Sequence, residues 1–212
     1  MKYPVHETFY SIQTEGVLAG RPAYFIRLYG CNLKCSWCDT PQKKKDFKLM
    51  SVKKLVKKIR QECPGHFVVI TGGEPFLHDL WPLTEAIIRM GLYVQIETNG
   101  TKDPGNFVMV PKSTYVVVSP KTKKIHPWFE EHALCFKYVI RKGELNKKDG
   151  LPKGIYRTHN PARIMVSPCF EKSKKRTKEN IATTLEVCKY FGYYLSIQYH
   201  KIISDCYGVP FQ

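Results

Sequence analysis

The stretch Gly30-Cys31-Asn32-Leu33-Lys34-Cys35-Ser36-Trp37-Cys38-Asp39-Thr40 decides how the rest of this chain is read. Its three cysteines stand at the spacing C-x3-C-x2-C, on a loop that follows the apolar run Ala23-Tyr24-Phe25-Ile26-Arg27-Leu28. Three thiolates can hold three irons of a cubane cluster and leave the fourth iron open to a small molecule. A zinc ribbon calls for a second Cys or His pair at comparably short spacing. A fully ligated ferredoxin-type cluster calls for a nearby fourth cysteine. The other cysteines (Cys63, Cys135, Cys169, Cys188 and Cys206) stand alone, and four lie in apolar runs where a thiol packs as a small hydrophobe. The spacing favours an open-iron [4Fe–4S] cluster on Cys31, Cys35 and Cys38, with zinc as the alternative.

Outward from that loop, the run at 23–28 reads as a strand that delivers the cysteines. Arg27 inside it is a charge in an apolar strand and needs a partner. It either points to solvent from an edge or binds an anion, and its position just before the cysteine loop favours the anion. Upstream, residues 6–12 read as an extended segment ending in the polar turn Gln13-Thr14-Glu15-Gly16. Downstream, Ser51 is placed to N-cap a helix to about residue 62, with Val52, Leu55, Val56 and Ile59 on one face. A strand at 67–71 runs into Gly72-Gly73-Glu74-Pro75. A helix over about 80–90 follows, with Pro82 in its first turn and Leu83, Ile87 and Ile88 inward. The strand at 93–97 ends in Thr98-Asn99-Gly100.

Beyond residue 100 the alternation thins. Strands are expected at 107–110, 115–118, 136–140 and 163–166, joined by short connections rich in Pro, Gly and Lys. A last helix covers about 178–191, with Ile181, Leu185 and Cys188 as its apolar stripe. A strand at 194–198 closes the pattern and leads to Tyr199-His200-Lys201 and a tail. Strand–helix–strand order in the first half implies right-handed crossovers and a parallel sheet. The polar motifs then fall at the C-terminal ends of strands, where α/β folds bind ligands. These motifs are the cysteine loop, Thr71-Gly72-Gly73, Glu97-Thr98-Asn99, Ser119-Pro120-Lys121, Ser167-Pro168 and Gln198-Tyr199-His200. They predict one shared active-site face.

The length of 212 residues suits a single domain, residues 1–212. No apolar run reaches transmembrane length and the N-terminus lacks a signal pattern, so a cytoplasmic, membrane-free protein is expected. That location keeps thiolates reduced. The net charge of +16 comes largely from lysine runs such as Lys43-Lys44-Lys45 and Lys172-Ser173-Lys174-Lys175-Arg176. Such runs can bind nucleic acid. These are scattered and lack interleaved stacking aromatics, which favours a solvated surface, with a basic mouth for anionic substrates left open.

C-x3-C-x2-C with an aromatic before the last cysteine, followed by Gly72-Gly73-Glu74-Pro75 after a strand, resembles the radical S-adenosylmethionine (radical SAM) superfamily. The resemblance implies a partial barrel, here an abridged (β/α) one with about six core strands and about three main helices. It also implies that the amino and carboxylate groups of SAM chelate the open iron, and that one electron cleaves SAM to a 5′-deoxyadenosyl radical.

The flanking residues narrow the match. Ile12-Gln13-Thr14-Glu15-Gly16, Arg27, Cys38-Asp39-Thr40, Glu97-Thr98-Asn99-Gly100-Thr101, Ser119-Pro120-Lys121 and Gln198-Tyr199-His200-Lys201 together resemble the 7-carboxy-7-deazaguanine synthase family, over residues 10–201. The chain departs from it at Thr14, where the family usually has Gly, at Cys169-Phe170-Glu171-Lys172, and in the tail.

The resemblance implies conversion of 6-carboxy-5,6,7,8-tetrahydropterin to a deazapurine precursor of queuosine and related bases. Hydrogen would be abstracted from C6, the ring contracted and ammonia eliminated. Gly73, Glu74, Glu97, Asn99, Ser119, Pro120, Lys121, Ser167 and Pro168 are then expected on the SAM side. Ile12, Gln13, Thr14, Glu15, Arg27, Thr71, Gln198 and His200 are expected to hold the substrate, with Arg27 on its carboxylate. Mg²⁺ is expected at Thr40 beside Asp39. A flavodoxin- or ferredoxin-type electron donor and a homodimer complete the expectation. A glycyl-radical-activating protein has no use for Arg27 with Cys-Asp-Thr. A non-catalytic basic Fe–S protein on nucleic acid has no use for the SAM motifs.

Overall fold

The computed structural model describes residues 1–39, 46–107 and 111–208. Among them the β-branched and aromatic runs become nine strands: β1 (Lys2–Ile12), β2 (Pro22–Leu28), β3 (Lys48–Ser51), β4 (Phe67–Gly72), β5 (Tyr93–Thr98), β6 (Thr114–Val118), β7 (Cys135–Ile140), β8 (Ile164–Pro168) and β9 (Tyr194–Leu195). They form one sheet in the order β3-β1-β2-β4-β5-β6-β7-β8-β9. β1 is antiparallel to both of its neighbours, and from β2 to β9 every pairing is parallel.

Parallel strands are covered on both faces, and alternation sorts their side chains between two clusters. Tyr24, Ile26 and Leu28, with Val68, Ile70, Val94, Ile96, Val116 and Val118, enter the main core. There they meet Leu55 and Ile59 of helix α1 (Val52–Glu62) and Leu83 and Ile87 of α2 (Trp81–Ile88). Ser51 caps α1 as its sequence predicts, its side chain accepting from the Lys54 N–H at 3.2 Å. Ala23, Phe25, Phe67 and Val69 occupy the opposite, concave face with Phe9 and Tyr115 packed on them. Continued two residues towards the C-terminal ends, the same alternation turns polar and presents Arg27, Thr71 and Glu97.

The sheet curls. The turn after β1 lies seven strands away from β9 in sheet order, yet the Gly16 N–H donates to Ser196 Oγ at 2.9 Å. First and last strands are thereby drawn together at one end, which gives the abridged barrel. From β6 to β8 the barrel carries little helix, in line with the short connections expected there. A five-residue helix α3 (Trp128–His132) stands between β6 and β7, and no α-helix fills the connection from β7 to β8.

Several expectations are corrected. α4 (Lys174–Phe191) turns Asn180, Thr184 and Val187 inward and leaves Leu185 39% exposed, so of the predicted stripe of Ile181, Leu185 and Cys188 only Cys188 packs, half-buried, on the main core. The cause is hydrogen bonding. Asn180 accepts from the Lys142 N–H at 2.8 Å and donates to the Cys169 carbonyl at 2.9 Å, satisfying loop backbone beyond β7 and β8. The expected strand at 194–198 keeps two residues. After it the chain turns, Gln198 becomes an N-cap, and Tyr199-His200-Lys201 open helix α5 (Tyr199–Tyr207) rather than following a strand. β3 and α3 were not expected. Of the strand expected at 107–110, residues 108–110 lie outside the described residues.

Candidate active site

The two glycines after β4 bring the two cofactor motifs together. Gly72 has φ +121°, and a Cβ there would stand 2.1 Å from the Leu28 carbonyl oxygen. A Cβ on Gly73 would stand 1.9 Å from the Gly30 carbonyl oxygen. The Gly73 N–H donates to Leu28 O at 2.9 Å and the Glu74 N–H to Gly30 O at 2.8 Å. What Gly73 admits is therefore the backbone of the cysteine loop itself. Glu74 is fully buried and accepts from Thr98 Oγ1 (2.6 Å), the Asn99 N–H (2.7 Å) and the Phe76 N–H (3.0 Å). Burial pushes its carboxyl up, against those three donors. Asn99 Nδ2 in turn donates to Asn32 Oδ1 at 3.1 Å, tying β5 to the cysteine loop.

Around the cysteines, Leu33, Lys34, Cys35, Ser36, Trp37 and Lys121 line a cavity of about 360 Å³. Lys121 follows Ser119 and the buried Pro120, and its Nζ donates to the Ser119 carbonyl at 3.1 Å. Burial is the main force lowering its pKa. Arg141 at the end of β7 covers the Trp37 ring at 5.2 Å. Ser167 and Pro168 end β8 and are buried. Burial raises the Cys35 thiol, and the Lys121 cation opposes it. Among the described residues no group of three His, Cys, Asp or Glu side chains is placed to hold a single metal ion. A cubane takes one thiolate per corner, so its ligands do not converge on one point. Three thiols on one loop beside an open cavity and the half-buried Lys121 cation fit an anionic thiolate cluster.

A second polar network sits over the concave face. Glu97 accepts from Gln13 Nε2 (3.0 Å), Gln95 Nε2 (2.9 Å) and Thr71 Oγ1 (2.9 Å). This gathers Glu97 with the substrate candidates rather than with Glu74. Glu15 is ion-paired with Lys137 and accepts from Gln198 Nε2 at 2.8 Å. Burial works against the Glu15 carboxylate, but Lys137 and Gln198 outweigh it and hold its pKa below the usual range. Thr14 Oγ1 lies 2.6 Å from His200 Nδ1, and burial lowers the His200 pKa. Thr14, where the resemblance anticipates Gly, therefore provides a contact to α5. Asp39 accepts from Lys201 Nζ at 2.7 Å and from Gln198 Nε2 at 3.2 Å. Burial disfavours its charged form, yet Lys201 outweighs this and holds the carboxyl at about 2. Arg27 meets Glu7 across the β1–β2 pair at 2.7 Å, the partner that a charge in a strand requires. Ile12 is 44% exposed, outside this network. Thr40 lies outside the described residues.

Lys137, Glu7, Asn32 and Gln95 escaped the sequence reading. Lys137 carried the same signal as Arg27, a cation inside an apolar strand (Cys135-Phe136-Lys137-Tyr138-Val139-Ile140), and could have been found by it. The lone cysteines behave as expected: Cys135 and Cys169 are buried, while Cys63 and Cys188 pack half-buried on the core.

The profile of the Radical SAM superfamily matches residues 25–109, from the strand before the cysteine loop to beyond β5. Over its length the chain is 34% identical to a 7-carboxy-7-deazaguanine synthase from Rhodospirillum rubrum, covering 94% of this chain and 91% of that one. The chain belongs to the 7-carboxy-7-deazaguanine synthase family. Another member, from Aquifex aeolicus, is 30% identical over 97% of this chain and 88% of its own. The crystal structure of QueE from Escherichia coli superposes with a TM-score of 0.71 at 29% identity, covering 93% and 94% of the two chains. A structure titled native anSMEcpe with bound AdoMet shares the fold, with a TM-score of 0.51 at 19% identity over 86% and 65%. The synthase family member described here is thus a radical SAM enzyme of deazapurine biosynthesis, a lyase, built on a partial α/β barrel. Among its described residues no helix is long and apolar enough to cross a membrane.

Proposed function

We propose that this enzyme contracts the ring of 6-carboxy-5,6,7,8-tetrahydropterin to 7-carboxy-7-deazaguanine with loss of ammonia, using a [4Fe–4S] cluster, SAM and Mg²⁺. The observation that carries the reading is the convergence of Gln13, Glu15, Glu97 and Gln198 over the concave face, beside the cysteine loop. A pterin edge presents guanidine-like N–H donors and a carbonyl acceptor. Carboxylates and amides are the groups that pair with such an edge in hydrogen bonds.

Cys31, Cys35 and Cys38 would hold three irons of the cluster, leaving the fourth for SAM. Glu74, Asn99, Ser119, Lys121 and Ser167 surround the side on which SAM would lie. When bound, cluster and SAM supply the radical that takes hydrogen from the substrate, and the reducing electron would come from a flavodoxin- or ferredoxin-type protein. The chain's own part is orientation and exclusion of water. Glu15 and Glu97 accept from the heterocycle, Gln13 and Gln198 complete its edge, and Arg27 faces its carboxylate with the planar fork that suits it. Asp39 and Thr40 offer hard oxygen atoms for Mg²⁺, which takes few protein ligands and keeps substrate and water oxygens.

Anaerobic turnover of the reconstituted protein with the carboxytetrahydropterin, SAM and a reductant, followed by product mass, tests the reading. Cleavage of SAM with the pterin returned unchanged sinks it. Thr40→Ala is expected to weaken Mg²⁺ stimulation while the cluster still assembles. Rates that ignore Mg²⁺ in both forms would remove the metal site. Arg27→Ala is expected to raise KM by about 10- to 100-fold, the scale of one charge-assisted hydrogen bond.

A further inference from the structure

Lys137 is a full positive charge placed in the middle of an apolar strand, with its side chain 11% exposed. Two carboxylates face it: Glu15, with which it is ion-paired, and Glu97. Both belong to the network over the concave face, and neither comes from a neighbouring strand. Glu15 arrives from the turn after β1, 122 residues away in sequence. The side chain of Glu15 is itself 17% exposed, its backbone N–H is held by Gln13 Oε1 at 3.1 Å, and Gln198 reaches it from the start of α5.

Folding alone does not call for this pair. Replacing a buried ion pair by apolar side chains of similar size is often neutral or stabilising, whereas removing one partner is costly. A chain that builds its barrel from Val, Ile and Phe had an apolar solution available here. The charge is explained by what it does to Glu15. A carboxylate taken out of water drifts towards its neutral form and towards whichever donor is nearest. A lysine fixed on a rigid strand keeps it ionised and pins its direction, with its second oxygen shared with a single amide.

We propose that Lys137 is a positioning residue for substrate recognition, fixing the Glu15 carboxylate as the acceptor for the N–H groups of the heterocycle. This rests on the reading that Glu15 meets the pterin edge. It adds a residue from β7 that touches no reacting atom and acts through Glu15.

The test compares Lys137→Met, Lys137→Arg, Glu15→Gln and the double variant Lys137→Met with Glu15→Gln, as anaerobically reconstituted enzyme with rates normalised to cluster content. Lys137→Met is expected to raise KM for the carboxytetrahydropterin by about 10- to 100-fold, the scale of a lost charge-assisted contact, with kcat changed much less. Lys137→Arg keeps the ion pair and recovers most of that loss. In the double variant both members of the Glu15–Lys137 pair are neutral, so the thermal midpoint returns towards wild type, while KM stays high because Glu15 itself is gone. If Lys137 acts through Glu15, the double variant has the KM of Glu15→Gln alone; a further rise on adding Lys137→Met to Glu15→Gln shows a role independent of Glu15 and overturns the proposal. So does a wild-type KM in Lys137→Met. Should Lys137→Met fail to fold, the arginine and double variants carry the same comparison. Wild-type enzyme that cleaves SAM but leaves the pterin untouched overturns the substrate reading and this proposal with it. Wild-type conversion with an indifferent Lys137→Met overturns this proposal alone.

Discussion

Lys137 in β7 is buried and Lys121 beyond β6 is half-buried, each near enough for its charge to reach the other, and their surroundings differ. Lys137 is matched by carboxylates: burial works against its charge, yet Glu15 and Glu97 outweigh it and raise its pKa. Lys121 has no ion pair among the described residues and donates to a backbone carbonyl, so burial prevails and its pKa falls. The carboxylate of Glu15, in the half proposed to hold the substrate, is paired within the protein alone. The cofactor half carries a cation whose natural counter-charge is the thiolate loop beside it and whatever those thiolates hold. Under the proposed function, one half would recognise by arranged polarity and the other by a need for negative charge.

The sharpest way to break this contrast is to remove a thiol. Cys35→Ala is expected to abolish cluster assembly and all turnover, whereas Cys63→Ala keeps about four irons per chain, read by iron content and visible absorption. Equal iron in the two variants would place the cluster elsewhere. The next largest effect separates the lysines. In the apo protein, Lys137→Met strands buried Glu15 and should cost about 3–5 kcal/mol in chemical denaturation. Lys121→Met should be neutral or stabilising in that same apo protein, and should hold the reconstituted cluster less well. Matching losses in both would erase the distinction drawn between the halves.

Gly73→Ala tests how the cofactor half is assembled. Its Cβ would collide with backbone of the cysteine loop, so a loss of about 1–3 kcal/mol or more is expected together with poor cluster uptake. Normal uptake would show that the two motif loops need not pack so closely. The smallest effect concerns the remaining thiols. Burial pushes Cys135 and Cys169 up to about 11, so both are almost wholly protonated at pH 8. Alkylation of the apo protein at that pH should spare them, and their labelling should rise only as pH approaches 11. Rapid labelling of either at pH 8 would show that its packing is open.

Legibility followed the kind of force at work. Where apolar alternation and capping decide structure, the sequence told nearly everything: α1 is capped by Ser51 and ends at Glu62, and β2, β4, β5 and β7 fall within a residue or two of expectation. Where hydrogen bonds decide, it told less. α4 chooses its inward face through Asn180, and α5 opens at Gln198 three residues past β9, neither of which hydrophobic periodicity can register. The site was legible as motifs but not as partnerships. Glu74 and Asn99 were readable as a turn; that Glu97 belongs with Gln13, and Glu15 with Lys137, depends on contacts between distant strands. The Thr40 expectation falls outside the described residues.

The closure between the turn after β1 and the start of α5 also sets an order of assembly. The contacts that build the cofactor half span short stretches of chain, 24 residues from Glu74 to Thr98 and 67 from Asn32 to Asn99. Those of the substrate half span 183 residues from Glu15 to Gln198 and 186 from Thr14 to His200. Loop closure over such lengths comes late, both in refolding and during synthesis from the N-terminus. A chain grown a little past residue 100 already contains the contacts among Gly30, Asn32, Glu74 and Asn99, while Lys121, Arg141 and the groups proposed to cradle the pterin are still to come. The loop proposed to carry the reactive centre is therefore framed first, and the groups proposed to confine its reactivity to one substrate join it later.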